Sequence, residues 1–266
     1  MNFIEAIILG LVQGFTEFIP VSSSGHLALT QRFFGENVDH LLIQALDFGT
    51  ILALLIYFRP KLIQMFQDVF YQKNYRLLRN IILTCLPAGL LGFLFANAIE
   101  ASAWITQPAL VATFIILVGI IMIVLEKLPK LSPVKDGEAL NKKRAFTIGV
   151  AQSAALFPGV SRSGSTIITS RLMGLKPAQA AEYSFLVSIP IMLGLVAKLT
   201  LSSDDRAYMA ANWETLLVAN IAAFVAGMIA VSFMLSYLKK HPLTIFGWYR
   251  VIVGSIALLL VALNVI

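Results

Sequence analysis

Apolar positions fill residues 2–19 and stop at Pro20. A polar run, Ser22-Ser23-Ser24-Gly25-His26, follows before a second, short apolar segment that ends near Phe34. Proline cannot continue a helix and disfavours helix in the residue before it. The pattern therefore predicts a helix, a loop from Ser22 to Gly25 and a short helix from about His26. Neither piece spans a bilayer comfortably, since a span takes roughly 20 apolar residues. Helix, polar loop and short helix predict a re-entrant hairpin, tolerated at membrane depth only where protein buries it or where it lines a cavity. Continuous apolar runs then predict full spans at about 40–58, 77–95 and 108–126. Residues 127–143 are polar and rich in Pro and Lys. A second hairpin at about 144–174, broken at Pro158 and Gly159, precedes spans at about 183–200, 214–238 and 245–265.

The two hairpins are related. Residues 10–35 and 149–174 match at Gly10/Gly149, Gln13/Gln152, Phe18/Phe157, Val21/Val160, Ser22/Ser161, Ser24/Ser163, Gly25/Gly164, Thr30/Thr169, Arg32/Arg171 and Gly35/Gly174. Each half is one hairpin plus three spans, and an odd number of crossings inverts the second half. The expected fold is an all-α polytopic membrane protein, a single integral membrane domain over 1–266. Repeat 1 covers about 1–126, repeat 2 about 144–266, and 127–143 is a cytoplasmic linker. In membranes such repeats place a site at their interface.

Composition agrees: of 266 residues, 58% are hydrophobic and 13% charged, against about 25% charged in soluble domains. The net charge of +6 does not point to nucleic acid, because the basic residues sit in loops between spans. Arg59, Lys61, Lys73, Arg76 and Arg79 share one loop, Lys127 to Arg144 hold another cluster, and Arg171, Lys176, Lys239 and Lys240 complete a cytoplasmic face. Glu36, Asp39, Glu100, Asp204, Asp205 and Glu214 fall on the outer face, with Arg32 and Arg206. The N-terminus, with Glu5 and no basic start, does not read as a signal peptide. Cys85 is the lone cysteine, which excludes an internal disulfide and suits packing.

The chemistry concentrates at the breaks. Glu17 and Arg162 interrupt apolar stretches, and an intramembrane ionisable residue is a functional hypothesis by default. If the loops meet, both share a polar pocket with His26 and the serines. Ser161 to Thr166 offers a guanidinium, hydroxyls and backbone N–H groups ahead of a helix expected to restart near Ser165. Such an N-terminus favours anions, and Arg suits phosphate. In the plainer reading, Ser and Gly only cap broken helices while Arg162 neutralises Glu17, but a buried ion pair is an unreliable stabiliser. His26 could act as general acid/base or nucleophile. Gln13 lies one turn before Glu17 on the same face; the pair could orient His26 or help hold a divalent cation on a phosphate. Gly25 and Gly164 admit close backbone approach to a ligand or serve helix packing.

Asp47, Gln44, Glu182 and Ser184 rank lower, as outlying support or helix-end charges. His40 and His241 read as loop residues. Trp104, Trp213, Tyr237 and Trp248 fit an interfacial belt, and Arg250 reads as snorkelling or paired. Inverted repeats with broken helices also suit a lipid-phosphate or anion transporter, but so much His, Glu, Arg and Ser at the breaks favours an enzyme.

The runs EFIPVSSSGH (Glu17 to His26) and PGVSRSGST (Pro158 to Thr166) closely resemble the bacterial undecaprenyl-diphosphatase family, also called bacitracin-resistance proteins. The resemblance covers nearly the whole chain. It implies hydrolysis of undecaprenyl diphosphate to undecaprenyl phosphate and inorganic phosphate in the bacterial plasma membrane. That reaction recycles the lipid carrier for peptidoglycan and confers bacitracin resistance. The resemblance places catalysis on Glu17, Ser23, His26 and Arg162. The expected substrate-binding set is Gln13, Ser22, Ser24, Gly25, Ser161, Ser163, Gly164, Ser165 and Thr166. Many members carry Glu at the position of Gln13, whereas here Glu17 stands without that acidic partner. The implied partners are a polyprenyl diphosphate lipid and the bilayer, with a homodimer open. A divalent cation, Mg²⁺ or Ca²⁺, is the cofactor considered, with Glu17 a candidate ligand, and no organic cofactor is expected. His26 and Ser23 both stand as nucleophile, and the site is expected to open to the outer, periplasmic face.

Overall fold

The computed structural model describes residues 2–35, 39–100, 102, 107–263 and 265. Glu36 and Trp104, expected at the outer face, lie outside the described residues, as does the side chain of Glu100. The described residues form helices and no strand. The first half comprises α1 (Phe3–Phe18), α2 (Ser23–Phe33), α3 (His40–Ala45), α4 (Asp47–Tyr57), α5 (Arg59–Phe70), α6 (Arg76–Glu100) and α7 (Pro108–Val124). The second comprises α8 (Lys142–Gln152), α9 (Arg162–Leu172), α10 (Pro177–Leu201), α11 (Ser203–Ala211), α12 (Trp213–Tyr237) and α13 (Thr244–Ala262).

Six helical stretches among the described residues are long and apolar enough to cross a membrane: His40–Tyr57, Arg76–Phe95, Pro108–Lys127, Pro177–Leu201, Trp213–Tyr237 and Thr244–Ala262. They correspond to the six expected spans. The fourth begins at Pro177 rather than near 183, because a proline at the first helical position loses no intrahelical bond. Glu182 therefore lies inside α10, 3.8 Å from Lys61. The first span is interrupted at Leu46, between α3 and α4. Two further helices were not expected. α5 buries none of its residues and shows Ile63, Phe66 and Phe70 on its surface; α11 is capped by Ser202, whose hydroxyl accepts from the Asp205 N–H.

Small residues set the packing around the first hairpin. A Cβ on Gly10 would lie 2.1 Å from the Ala219 carbonyl oxygen, and one on Gly14 2.4 Å from that of Ala223. α1 thus lies directly against the alanine face of α12, the close approach by which helices associate in lipid. The linker is tied down. The Asn80 side chain donates to the carbonyls of Gly137 (2.9 Å) and Leu140 (2.8 Å). The Leu131 and Val134 N–H groups donate to the carbonyls of Leu172 and Gly174.

Both hairpin helices restart earlier than expected, at Ser23 and Arg162 rather than near His26 and Ser165. The cause is the same in both. Ser22 and Ser161 take positive φ, +78° and +74°, so a single residue in a conformation rare for non-glycine completes the turn. Ser23, Ser24 and Gly25 are therefore the first turn of α2, not a loop.

Candidate active site

The two breaks meet. The Ser163 hydroxyl of α9 donates to the Glu17 carbonyl at the end of α1 (3.2 Å). The Arg162 guanidinium forms an ion pair with the Glu17 carboxylate. Their side chains are only 16% and 12% exposed, so each charge needs the other. Arg162 also donates to the Ser188 carbonyl (3.4 Å) and touches the Met192 sulfur (3.6 Å). With five N–H donors, it keeps capacity for an incoming anion.

Glu17 uses one oxygen for Arg162 and the other for two neighbours of its own hairpin. Oε2 accepts from the Ser23 hydroxyl (2.6 Å) and from the Gln13 amide (3.3 Å). A hydroxyl hydrogen-bonded to a buried carboxylate can be deprotonated as it attacks. The same Gln13 amide donates to Asp47 on α4 (2.6 Å).

A cavity of about 150 Å³ opens at this junction, lined by Glu17, Ser22, Ser23, Ser24, Ser161, Arg162 and Ser163 with Ala155 and Phe157. Both α2 and α9 begin on it, and the first N–H groups of a helix have no intrahelical partner. Ser22 makes no side-chain cap to α2, while Ser161 caps α9 through the Gly164 N–H (3.1 Å). Two helix N-termini and a guanidinium around one polar cavity favour an anion over a cation there.

Residues 6–256 match the family model described as "Bacitracin resistance protein BacA". The chain belongs to the BacA family. It is 38% identical over 265 residues to Undecaprenyl-diphosphatase 1 of Clostridioides difficile, covering 97% of this chain and 96% of that one. It is 37% identical to the undecaprenyl-diphosphatase of Aquifex aeolicus, covering 95% and 96%. With that of Enterococcus faecalis it shares 33% identity, covering 99% of both.

Within this BacA-family cavity the expected site residues divide. Glu17, Ser22, Ser23, Ser24, Ser161, Arg162 and Ser163 line it, and Gln13 reaches it through Glu17. Gly25 is buried, and a Cβ there would lie 2.9 Å from Ile115, so its smallness serves packing. The Gly164 N–H is spent on the cap. The Ser165 and Thr166 hydroxyls donate back to the Arg162 carbonyl (2.9 Å each), and Thr166 also meets Ser184. These hydroxyls brace the first turn of α9 that aims Arg162.

His26 stands apart from the Glu17–Ser23 pair. Its Nδ1 lies 2.8 Å from the Ser22 carbonyl and its Nε2 2.9 Å from the Tyr249 hydroxyl, with the two rings nearly parallel. The tautomer this requires has Nδ1–H donating to Ser22 and Nε2 accepting from Tyr249.

Arg250 does not snorkel. It is fully buried and donates to the carbonyls of Pro20 (3.1 Å), Gly159 (2.6 Å) and Val160 (3.3 Å), at both hairpin breaks, and to that of Ile115 (3.0 Å). One side chain thus satisfies the backbone acceptors that both broken helices leave open. Its charge inside an apolar run was the visible signal; which carbonyls it would meet depended on tertiary packing. Asp47 carried the same signal.

Proposed function

We propose that this protein hydrolyses undecaprenyl diphosphate to undecaprenyl phosphate and inorganic phosphate, recycling the wall-polymer lipid carrier and conferring bacitracin resistance. The observation that carries the reading is the Glu17–Arg162 pair between the hairpins, with the Ser23 hydroxyl 2.6 Å from Glu17. Membership of the BacA family and the printed names of the relatives support it.

The hairpins are re-entrant, one in each half of an inverted repeat, and meet at mid-membrane, with the basic loops cytoplasmic and the site open to the outer face. The lysine- and arginine-rich loops support this orientation. The diphosphate enters the cavity while the lipid stays outside, since about 150 Å³ is below the roughly 300 Å³ at which pockets enclose a whole drug-sized ligand. A neighbouring groove lined by Gly25, Ala28, Leu29, Val111 and Ile115 shares Ser24 with the cavity and receives the first isoprene units.

Arg162 and the N–H groups of α2 and α9 hold the phosphate oxygens and stabilise their charge in the transition state. Ser23 Oγ attacks the terminal phosphorus as Glu17 takes its proton. The phosphoanhydride bond breaks, undecaprenyl phosphate leaves, and water cleaves the phosphoserine to release inorganic phosphate. His26 has both ring nitrogens engaged and acts by holding the Ser22 carbonyl, which fixes the turn that presents Ser23.

Phosphate release from undecaprenyl diphosphate by the purified protein in detergent, beside Ser23→Ala and Arg162→Ala, tests this. Wild type releases phosphate, and each variant loses about 10³-fold while remaining monodisperse. A well-folded wild type without release contradicts it and favours lipid-phosphate transport, assayed next in liposomes.

A further inference from the structure

The groove beside the cavity is apolar along most of its length and basic at one end. Ser24, Ala28 and Arg32 follow at four-residue spacing on α2, so they share one face of the helix. All three line the groove, and Ser24 also lines the cavity. Eight residues of helix rise about 12 Å, which sets Arg32 that far from the cavity, at the C-terminal end of α2. His40, the first residue of α3, lines the groove as well. Among the described residues that line it, Arg32 and His40 alone are ionisable, and none is an acid.

The matching arginine of the second hairpin behaves differently. Arg171 donates to both carboxylate oxygens of Glu126 (3.0 and 2.8 Å) and to the Leu175 carbonyl (2.6 Å). The Arg32 guanidinium is exposed and makes no hydrogen bond or ion pair among the described residues. Asp39, beyond the end of α2, is already engaged. Its Oδ1 accepts from the Leu41 and Leu42 N–H groups and its Oδ2 from the Tyr208 hydroxyl. A last-turn arginine also suits the C-terminal end of a helix dipole, but that role needs neither a groove nor a histidine beside it.

We propose that Arg32 and His40 form an entry site at the mouth of the groove, which captures the diphosphate group of the lipid substrate before it reaches the cavity. This deepens the phosphatase reading and rests on it for the substrate. A guanidinium with all its donors free matches phosphate oxygens in pairs. Charge at the mouth of a low-dielectric groove draws in an anion at long range, an effect that salt screens. Between the two ends, Ala28 and Leu29 offer the anion no polar hold, so it passes on to Arg162 and the two helix N-termini. The lipid keeps to apolar surface throughout.

The probe is undecaprenyl methylenediphosphonate, whose P–C–P bridge is not hydrolysed. Its association rate with the immobilised full-length protein in neutral detergent is followed by surface plasmon resonance at low and high salt. Arg32→Ala is expected to slow association about tenfold at low salt, with the difference closing at high salt. Arg32→Lys keeps the charge and stays within about threefold of wild type. Arg32→Glu is slower than Arg32→Ala, and so is Arg32→Ala/His40→Ala. A helix-end role would change stability without this dependence on salt. An unchanged rate in Arg32→Ala, a slowing that high salt leaves intact, or a double variant no slower than Arg32→Ala overturns the proposal. Phosphate release from undecaprenyl diphosphate is measured alongside. Release by wild type with unchanged association in Arg32→Ala overturns the entry site and leaves the phosphatase standing; no release, with association slowed in Arg32→Ala, does the reverse.

Discussion

The two hairpins have one backbone and different chemistry. Both turn on a serine with positive φ, Ser22 and Ser161, and both end their second helix at a glycine with positive φ, Gly35 and Gly174. Each carries a buried glutamine whose side-chain oxygen has no hydrogen-bond partner among the described residues, Gln13 and Gln152. The next residue after each turning serine is Ser23 in one hairpin and Arg162 in the other. One hairpin places a hydroxyl where the other places a guanidinium. Glu17 corresponds in the second hairpin to Leu156, and His26 to Ser165. The repeat thus supplies a scaffold twice, while in the proposed mechanism acid–base chemistry and anion binding are divided between the copies.

The largest effects belong to that division. Glu17→Gln removes the proposed base and leaves Arg162 partly buried without its counter-charge. Phosphate release is expected to fall about 10³–10⁴-fold, whereas Leu156→Gln at the matching position is expected to change it less than about tenfold. Equal losses would erase the distinction. Next come Phe18 and Phe157, which also match in sequence. Phe18 is fully buried and meets Phe185 edge-on at 5.6 Å, while Phe157 is 37% exposed. Phe18→Ala is expected to cost about 3 kcal/mol, near the low end for such cavities because lipid gives no transfer term. Phe157→Ala should cost much less, as thermal unfolding in detergent would show.

Gln13 and Gln152 give a smaller contrast. Gln13→Ala frees two carboxylates to repel and is expected to lower turnover about tenfold. Gln152→Ala, whose partner is the Thr84 carbonyl at 3.4 Å, should leave kinetics close to wild type. The smallest effect is expected at Tyr249→Phe, which removes one hydrogen bond to His26 and should cost about 1 kcal/mol or less in kcat/KM.

Much of this was legible in the chain. Six spans, two broken hairpins and their kinship follow from apolar run length, Pro20 and Pro158; the pairing of Glu17 with Arg162 stood in the sequence only as the plainer reading, and His26, which Glu17 was expected to orient, turns instead to Ser22 and Tyr249. Other features were not legible, for identifiable reasons. The early restart of α2 and α9 depends on Ser22 and Ser161 adopting a conformation that their side chains do not advertise. α5 and α11 escaped because a surface helix without a long apolar run resembles a loop. Gly25, Gly164, Ser165 and Thr166 look like ligands in a motif, whereas their neighbours show them bracing helix starts. Asp47 and Arg250 announced themselves only as charges in spans. Their partners, Gln13 for one and the Pro20 and Gly159 carbonyls for the other, come from helices remote in sequence.

In the proposed mechanism the two hairpins form one catalytic unit. The decisive measurement is kcat/KM for phosphate release in wild type, Glu17→Gln, Arg162→Lys and the double variant. Groups that act as a unit are non-additive. The double variant is predicted to be no slower than the slower single variant, within about threefold. A double variant slowed by the product of the two single losses would show independent contributions and contradict a shared site.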